Sequence, residues 1–474
     1  MKHSNSIFSI LLSGMMASCG LIAPSDTVNP NVDEDAFLHS SQAMSTWVNG
    51  TKRSFAQGIG RFCLYTEMIS DNYFNNYTRE NKVFDIPELR YTDPDIEDMQ
   101  RIVANLRESA DYGIEVVQQY DRKTTDTDLF QLYMIKAYSY ILAGENFVAL
   151  PEKEGGDVVV AKEQLLQAIP LLDKALSLSD NVANQAFIHT LKARTYHRLG
   201  DKENAVIAAR KSLELSPDFI YQVTFDGVNA VGNALQDVVW KFMFQPLPRL
   251  DFLDPKYFQL SANEERPICV GKAEENYLIL IEAALADNQE EQARSYMREL
   301  LRLVNNRPVQ YNINDQLEGR FNGGFKKYPD SSDYRVAASS KDSYRSGLVL
   351  NRKAPHLISI PYISGTSVTA EMINQTTGID ALLELTYLLR QEIFFAEGRR
   401  MTDLGIRLPV SEVEAKRTAS AQAYTAAHIP GFIPMGQGMD AFVIDEEAKT
   451  VTIQYNMNKI IVQHRQSSDV LPFF

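Results

Sequence analysis

The sequence predicts a mainly α-helical protein in which a helical-repeat scaffold carries an inserted irregular, loop-rich ligand lobe. Apolar residues recur at intervals of three and four through most of the first three hundred positions, as they do in amphipathic helices. Residues 220–270 and 306–375 break this pattern and are rich in Phe, Tyr, Asn, Gly and Pro. Such stretches are typical of loops and short strands, and binding residues are expected on loops that a rigid scaffold holds in place.

The first residues predict a lipoprotein signal peptide at residues 1–18. A short polar start precedes an apolar run, residues 7–17, which is too short to span a bilayer. The Ala-Ser-Cys that follows resembles a bacterial lipobox, and this resemblance implies that Cys19 is lipidated. An ordinary secretory signal with a chance cysteine is the alternative. Residues 19–31 are small, polar and proline-containing, which indicates a lipidated tether.

The formal net charge of −14 at pH 7 argues against a nucleic-acid partner, because nucleic acids require basic surfaces. No stretch beyond the leader is long and apolar enough to cross a bilayer, so we expect a soluble body that reaches the membrane through its lipid anchor. Cys63 and Cys269 are too few for a disulfide framework in a chain of 474 residues. We expect both to be buried free thiols.

The strongest repeat signal lies in AFIHTLKARTYHRLGDKENAVIAARKSLELSPDF, residues 186–219. Small residues there let two helices approach closely, while a glycine ends the first helix and a proline stops the second. Weaker helix pairs are predicted on either side of this stretch, and stacked hairpins of this kind form a solenoid. The residues that match a tetratricopeptide repeat are Ala193, Tyr196, Gly200, Ala205, Ser212 and Pro217.

Beyond the leader and the tether, these signals divide the chain into five segments. A helical scaffold with repeat hairpins spans 32–219, an irregular segment spans 220–270, and a helical hairpin spans 271–305. An irregular ligand-lobe segment follows at 306–375. The last scaffold helix and a C-terminal hairpin region occupy 376–474, where DAFVIDEEAKTVTIQYN places two β-rich runs around an acidic turn.

One late stretch, LRQEIFFAEGRRMTDLGIR at residues 389–407, places charges in a helical core pattern. An apolar stripe of leucines, continued at steps of three and four, reaches Glu392, Arg399 and Asp403. One interpretation is a solvated helix face with intrahelical ion pairs. The other is a buried ion network that locks this helix against another element and is costly to break once formed. Periodicity alone leaves both interpretations open.

Together, the lipobox, the interrupted helical scaffold, EMISDNYFN at residues 67–75 and RQEIFFAEGRRMTDL in the late stretch resemble the SusD/RagB family of outer-membrane lipoproteins of Bacteroidetes. The late stretch resembles that family's Arg-x-Glu, Glu-Gly-x-Arg and Asp-Leu signature. The resemblance implies a structural role for this motif and so favours the buried network. The matching residues are Arg390, Glu392, Glu397, Gly398, Arg400, Asp403 and Leu404.

Motifs for catalysis or metal binding are absent from the sequence. The seven histidines are scattered and none forms a metal-binding pair, and there is neither a nucleophile elbow nor a phosphate-binding loop. We therefore predict no catalytic residue, no metal ligand and no cofactor. Glu67 and Asp71, four positions apart, could share a helix face as a catalytic carboxylate pair, or could simply end a helix.

A ligand site is predicted at SDNYFNNYTREN, residues 70–81. Sugars stack their C–H faces on aromatic rings while amides and guanidinium groups bond their hydroxyls, and this segment interleaves both kinds of side chain. The alternative is a polar turn with its rings packed inward. A weaker patch is predicted around Phe321, Tyr328, Tyr334 and Arg335. The predicted ligand-binding residues are Tyr73, Phe74, Asn76, Tyr77 and Arg79.

The family resemblance implies a lipid-anchored protein on the outer membrane, facing the cell exterior. Such a protein would capture a nutrient, a glycan oligomer by first expectation, and hand it to a SusC-like TonB-dependent transporter without making or breaking a bond. Three alternatives stay open: a peptide-binding member of the same family, a glycan-processing enzyme, and a repeat scaffold without a small ligand.

Overall fold

The computed structural model describes residues 34–76, 82–153, 155–240, 243–261, 263–314, 326–351, 357–436, 438–467 and 469–474. The predicted signal peptide, the predicted lipidation site Cys19 and the predicted tether lie outside these residues, so their roles stay predictions. None of the described helices is both long and apolar enough to cross a membrane.

Helices dominate the described chain up to residue 305. A π-helical turn at Gly113–Val117 continues the fourth helix into the fifth. The bounds are α1 Glu34–Leu38, α2 Ala43–Met68, α3 Lys82–Asp85, α4 Pro94–Tyr112, α5 Gln118–Tyr120, α6 Asp126–Asn146, α7 Ala161–Leu176, α8 Val182–Arg198, α9 Lys202–Leu215, α10 Ala234–Trp240, α11 Ala273–Ala286 and α12 Glu290–Asn305.

Side-chain caps set where several of these helices begin. The Asp93 carboxylate accepts the N–H of Asp95 at 3.0 Å, and a proline occupies the first helical position of α4. Thr125 and Asp128 form a reciprocal capping box at the start of α6. These contacts satisfy backbone donors that the first turn of a helix leaves without partners.

The predicted tetratricopeptide-like hairpin is formed by α8 and α9. Gly200 links the two helices with a φ of +73°, a left-handed conformation that residues with a Cβ adopt at a cost. Ala193, Ala205 and Ser212 are fully buried where the helices meet. The neighbouring hairpins, α6 with α7 and α11 with α12, pack on either side of it. The predicted fold class, mainly α-helical with a tetratricopeptide-like scaffold, is confirmed.

The later helices are shorter. Two 3₁₀ helices, Pro248–Tyr257 and Ala419–Tyr424, lie among them. The bounds are α13 Ala370–Gln375, α14 Ile379–Ile393, α15 Arg400–Asp403, α16 Glu412–Arg417 and α17 Met457–Gln463.

Strands within the described residues pair into small sheets. Most pairs are antiparallel, but β8 joins the predicted C-terminal hairpin of β10 and β11 in parallel to β11. The other pairs are β1 with β5, β2 with β3, β4 with β6 and β7 with β9. The bounds are β1 Tyr73–Asn75, β2 Ala149–Pro151, β3 Val158–Val160, β4 Ile220–Val223, β5 Phe244–Pro246, β6 Ile268–Lys272, β7 Val309–Asn314, β8 Arg335–Ala337, β9 Leu357–Pro361, β10 Phe442–Asp445 and β11 Thr450–Ile453.

The helical stripe predicted to run through Asp403 is interrupted. Helix α14 ends at Ile393, and the chain turns before it enters α15. Ala396 and Gly398 occupy left-handed conformations in this turn, with φ of +59° and +70°. A Cβ at Gly398 would lie 3.0 Å from the Sγ of Cys63, so the turn also needs a residue without a side chain to pack against α2.

Cys63 and Cys269 are buried free thiols, as expected. Burial is the main cause that raises the pKa of Cys63, and it also raises the pKa of Cys269 to about 11. Both thiols are therefore kept in the protonated form at neutral pH, which makes them poor nucleophiles.

Candidate functional site

The rings predicted to stack on a ligand are core side chains. Tyr73 and Phe74 are 1% and 4% exposed, because β1 pairs with β5 in the interior. The ring of Tyr73 stacks on that of Phe395 with centroids 4.9 Å apart, and Phe74 meets Phe442 edge to face at 5.5 Å. The prediction that these two rings bind a sugar is corrected: neither offers a face to a ligand in this structure.

Asn76 is also fully buried, with 0% of its surface exposed. Its amide donates to Gln245 Oε1 at 2.6 Å and accepts the backbone N–H of Lys326 at 2.7 Å. The side chain thus joins the segment after β1 to the lobe, which is a structural role in place of the predicted binding role.

Other predicted binding residues lie outside the described residues or are buried. Tyr77 and Arg79 lie outside them, so their predicted role stays a prediction. In the weaker patch Phe321 is also outside, whereas Tyr328 and Tyr334 are buried and Arg335 is exposed. Neither described tyrosine of that patch presents a ring for stacking.

An open cleft in the lobe is the better candidate for a ligand site. It has a volume of about 680 Å³ and lies where β7 and β9 meet the end of α12 and two lobe loops. We call it the lobe cleft. Its lining is Phe252, Val304, Asn305, Val309, Tyr311, Ser332, Val349, Leu350, Asn351, Leu357, Ile358, Ser359, Pro361, Ser364, Gly365 and Thr366.

Alternation along β9 and an irregularity in β7 build this cleft. Ile313, Ile358 and Ile360 point inward and pack on Phe258 in a small apolar cluster. Successive residues of a strand face opposite sides, so Leu357 and Ser359, which alternate with the isoleucines of β9, are exposed. Tyr311 lies in an irregular part of β7 and is 66% exposed. The sheet thus turns an aromatic ring and an aliphatic side chain toward solvent.

The lobe cleft carries polar groups beside that ring. Asn305 and Asn351 add amides, and five serine, threonine and glycine residues of the lining add hydroxyls or bare backbone. None of its described lining residues is Asp, Glu, Lys, Arg or His. The described surface of the cleft therefore offers stacking and neutral hydrogen bonding.

The predicted late motif forms a buried ion network, which we call the motif network. Arg400 donates from Nε to Asp71 Oδ1 at 2.5 Å and from Nη2 to Oδ2 at 3.0 Å. Burial alone would raise the pKa of Asp71, but Arg400, with Arg249, holds it below its usual value. Asp71, considered in the sequence as one of a possible catalytic carboxylate pair with Glu67, is thus an ion-pair partner of Arg400.

Glu67 has a different environment. One carboxylate oxygen accepts the N–H of Gly398 at 2.7 Å and the other accepts the amide of Asn72 at 2.7 Å. Burial raises the pKa of Glu67 to about 7, although these hydrogen bonds oppose the shift. Through its hydrogen bond to Gly398, Glu67 holds the turn after α14 against the end of α2.

Asp403 lies between two arginines. Arg390 donates to it at 2.7 Å and Arg198, from the repeat hairpin, at 2.8 Å. Burial acts to raise the pKa of Asp403, but the two guanidinium groups lower it to about 2. This contact fixes α15 to the tetratricopeptide-like hairpin.

Two glutamates of the motif tie other elements to the network. Glu397 accepts from Lys256 at 2.5 Å and from Lys272 at 2.7 Å, so it joins the lobe to β6. Glu392 accepts the hydroxyl of Thr366 at 2.6 Å and the N–H of Ser367 at 2.7 Å. All the motif residues from Glu392 to Asp403 that carry charge are buried, which matches the buried network and not a solvated face.

No cluster of three or more metal-ligating side chains is found among the residues that the structure describes.

Comparisons with known proteins agree with this architecture. Residues 188–219 match the tetratricopeptide repeat model. No curated protein matches the sequence.

Several solved structures with a similar fold are SusD-like proteins. A SusD-like protein from Bacteroides fragilis NCTC 9343 superposes with a TM-score of 0.51 at 12% identity, over 82% of this chain and 97% of that one. A SusD-like carbohydrate binding protein from the same strain gives 0.50 at 12% identity, over 90% and 99%. Another, from Bacteroides vulgatus ATCC 8482, gives 0.50 at 11% identity, over 77% and 83%. At these identities the likeness shows the fold.

We predict that Arg400→Ala lowers the free energy of unfolding by about 3–5 kcal/mol, because it leaves the buried Asp71 carboxylate without its main partner. Chemical denaturation measures this loss. The control is Arg302→Ala, since Arg302 pairs with Glu299 on the exposed side of α12, and it should cost less than about 0.5 kcal/mol. Equal effects of the two substitutions would contradict the buried network.

A second prediction concerns pH. The pKa of Glu67 is about 7 in the folded chain and near 4.5 when unfolded, so folding favours the protonated carboxyl. The stability that the protonated Glu67 contributes is complete below pH 4.5. It falls as the pH rises from 4.5 and is fully lost once the pH has passed 7. The Glu67→Gln side chain cannot titrate, so the variant does not share this loss. Between pH 5 and pH 8 its free energy of unfolding, measured relative to that of the native chain, should rise by about 2–3 kcal/mol.

Denaturation curves at the two pH values measure this change, with Glu163→Gln on the exposed surface of α7 as the control. A difference between Glu67→Gln and the native chain that stays constant with pH would show that Glu67 is ionised throughout.

Proposed function

We propose that this chain, which has the fold of the SusD-like proteins, binds a neutral oligosaccharide in the lobe cleft without converting it chemically. The observation that carries the proposal is the lining of that cleft. It combines an exposed aromatic ring with amides and hydroxyls, and none of its described residues bears a formal charge. This combination suits a ligand that has many hydroxyls and no charge.

A sugar ring would find both of its surfaces matched in the lobe cleft. Its C–H face can stack on Tyr311 and lie along Leu357, which is 68% exposed. Its hydroxyls can exchange hydrogen bonds with the amide of Asn305 and the hydroxyl of Ser359. The volume of about 680 Å³ lies in the range of small-molecule sites. Two of the structural relatives are described as carbohydrate binding proteins.

Peptide binding and catalysis have less support from the same lining. Capture of a peptide with free termini or charged side chains calls for opposite charges, and the described lining has none. Glycoside hydrolysis usually requires two carboxyl groups on either side of the scissile bond. The described residues of the lobe cleft supply no carboxylate.

We further propose that lipid on Cys19 holds the protein at the outer membrane, facing outward, and that it delivers its ligand to a SusC-like TonB-dependent transporter. The surface of the repeat helices is the docking face in this proposal. Its support is a set of exposed aliphatic side chains on successive scaffold helices: Leu166 on α7, Val182 on α8 and Ile207 on α9.

Calorimetry of the purified full chain against a panel of neutral oligosaccharides and short peptides tests the binding proposal. We expect heat from at least one neutral glycan, and affinity at least tenfold weaker for Tyr311→Ala because the stacking ring is lost. Tyr344→Ala is the matched control: this ring is also exposed but lies outside the lobe cleft, so its loss should leave affinity unchanged.

Binding of peptides alone would overturn the glycan assignment. No binding heat with any oligosaccharide or peptide of the panel would overturn ligand capture at this cleft and favour a scaffold role. Release of shorter sugars during incubation would contradict binding without conversion.

A further inference from the structure

A second cavity, separate from the lobe cleft, lies between α14, α17 and β8. It has a volume of about 340 Å³ and shares no lining residue with the lobe cleft. Its lining includes Arg249, Arg345, Leu385, Glu384, Asn456 and Asn458.

Two buried side chains at this second cavity each have a polar atom without a hydrogen-bond partner. Arg249 is 5% exposed and its Nε–H finds no acceptor among the described residues. Asn458 is 1% exposed and its Oδ1 accepts from no described donor. A buried polar atom left without a hydrogen bond costs about 1–3 kcal/mol, and native proteins rarely keep one without a reason.

These two side chains are neighbours because they share one acceptor. Both donate to Oε1 of Gln391, Asn458 from Nδ2 at 3.1 Å and Arg249 from Nη2. The amide of Gln391 is itself fixed, since it donates to Asp71 Oδ2 at 3.0 Å and to Asn72 Oδ1 at 2.9 Å. The donor and the acceptor are therefore held in place before any ligand arrives.

The Nε–H of Arg249 and the Oδ1 of Asn458 together match a ligand group that accepts one hydrogen bond and donates another. A primary carboxamide does this with a C=O and an N–H on the same side. A carboxylate would satisfy Arg249 but place a second acceptor against Asn458 Oδ1. A methyl group would satisfy neither atom. The chemistry of the pair therefore favours a carboxamide over an acid or an alkyl group.

The walls of the second cavity are aliphatic. Leu348, Leu385, Leu388 and Met372 line them, and no aromatic residue is present in the described lining. A sugar would find no ring to stack on, whereas a short methylene chain can pack on these side chains.

Charges of both signs complete the second cavity. Asn456 joins the carboxylates of Asp342 and Glu384 through hydrogen bonds of 3.2 and 2.9 Å, and Arg345 lies in the same lining. A carboxylate group and an ammonium group can both find an opposite charge in this arrangement. We propose that this second cavity is a binding site for a small amino acid with a carboxamide side chain, of the kind represented by free glutamine.

Isothermal titration of the full chain with three probes of similar length tests the proposal. L-glutamine should bind, whereas L-glutamate and L-norleucine should bind at least tenfold more weakly. Glutamate puts a carboxylate at the carboxamide position, and norleucine puts an alkyl end there. No heat with glutamine, or equal affinity for glutamine and norleucine, would overturn the proposal.

Two variants place the site. Asn458→Leu removes the acceptor and should abolish glutamine binding. Should this variant fail to fold, Ala381→Trp provides the test, since Ala381 is exposed in the lining and a large ring there should block the cavity. Ala381→Ser is the matched control and should bind normally. Unchanged glutamine binding in Ala381→Trp would overturn the site, while oligosaccharide binding at the lobe cleft should be unaffected by every one of these variants.

Discussion

The ion pair between Asp71 and Arg400 is the contact on which the rest of this structure depends. The two residues are 329 positions apart, and both are almost completely buried. Burying two charges is costly, and a close bidentate geometry recovers that cost only while both partners are present. The pair therefore specifies one arrangement of the early and late parts of the chain, because any arrangement that separates the partners leaves a charge in the core.

The motif network extends this constraint to both cavities. Asp71 positions Gln391, whose carbonyl oxygen holds Arg249 and Asn458 beside the second cavity. Glu392 lines that cavity and also accepts from Thr366, which lines the lobe cleft. The Arg249 and Asn458 side chains proposed to bind a ligand in the second cavity, and Thr366 in the lining of the lobe cleft, are thus tied to the same buried charges that hold the scaffold together. A rigid supporting layer of this kind keeps binding groups in position without a ligand.

The sequence predicted the helical architecture well because that information is local. Small residues at Ala193, Ala205 and Ser212 require close helix packing wherever the hairpin lies in the fold. The late motif was also visible, since charges in a leucine stripe call for buried partners or for solvent. Its break into two helices depended on the left-handed backbone at Ala396 and Gly398. A glycine is a weak signal for such a turn and an alanine is none.

The candidate site was harder to predict because burial is not local. Tyr73 and Phe74 look like a sugar platform in sequence, yet β5, about 170 residues later, covers them. The lobe cleft depends on the pairing of β7 with β9 across a long segment, which a single sequence does not show. One short signal was available in the sequence: Ile358, Ser359 and Ile360 alternate apolar and polar residues as a half-buried strand does, which marks an outward face in the predicted lobe.

A double-mutant cycle at Asp71 and Arg400 tests most directly whether this one buried ion pair holds the early and late parts of the chain together. Asp71→Asn, Arg400→Gln and the double variant would be unfolded with denaturant beside the native chain. A coupling free energy of about 2 kcal/mol or more is the result expected for partners in one buried network. Additive losses of unfolding free energy, with a coupling below about 0.5 kcal/mol, would show that the two side chains act independently. Other contacts would then hold the two parts of the chain together.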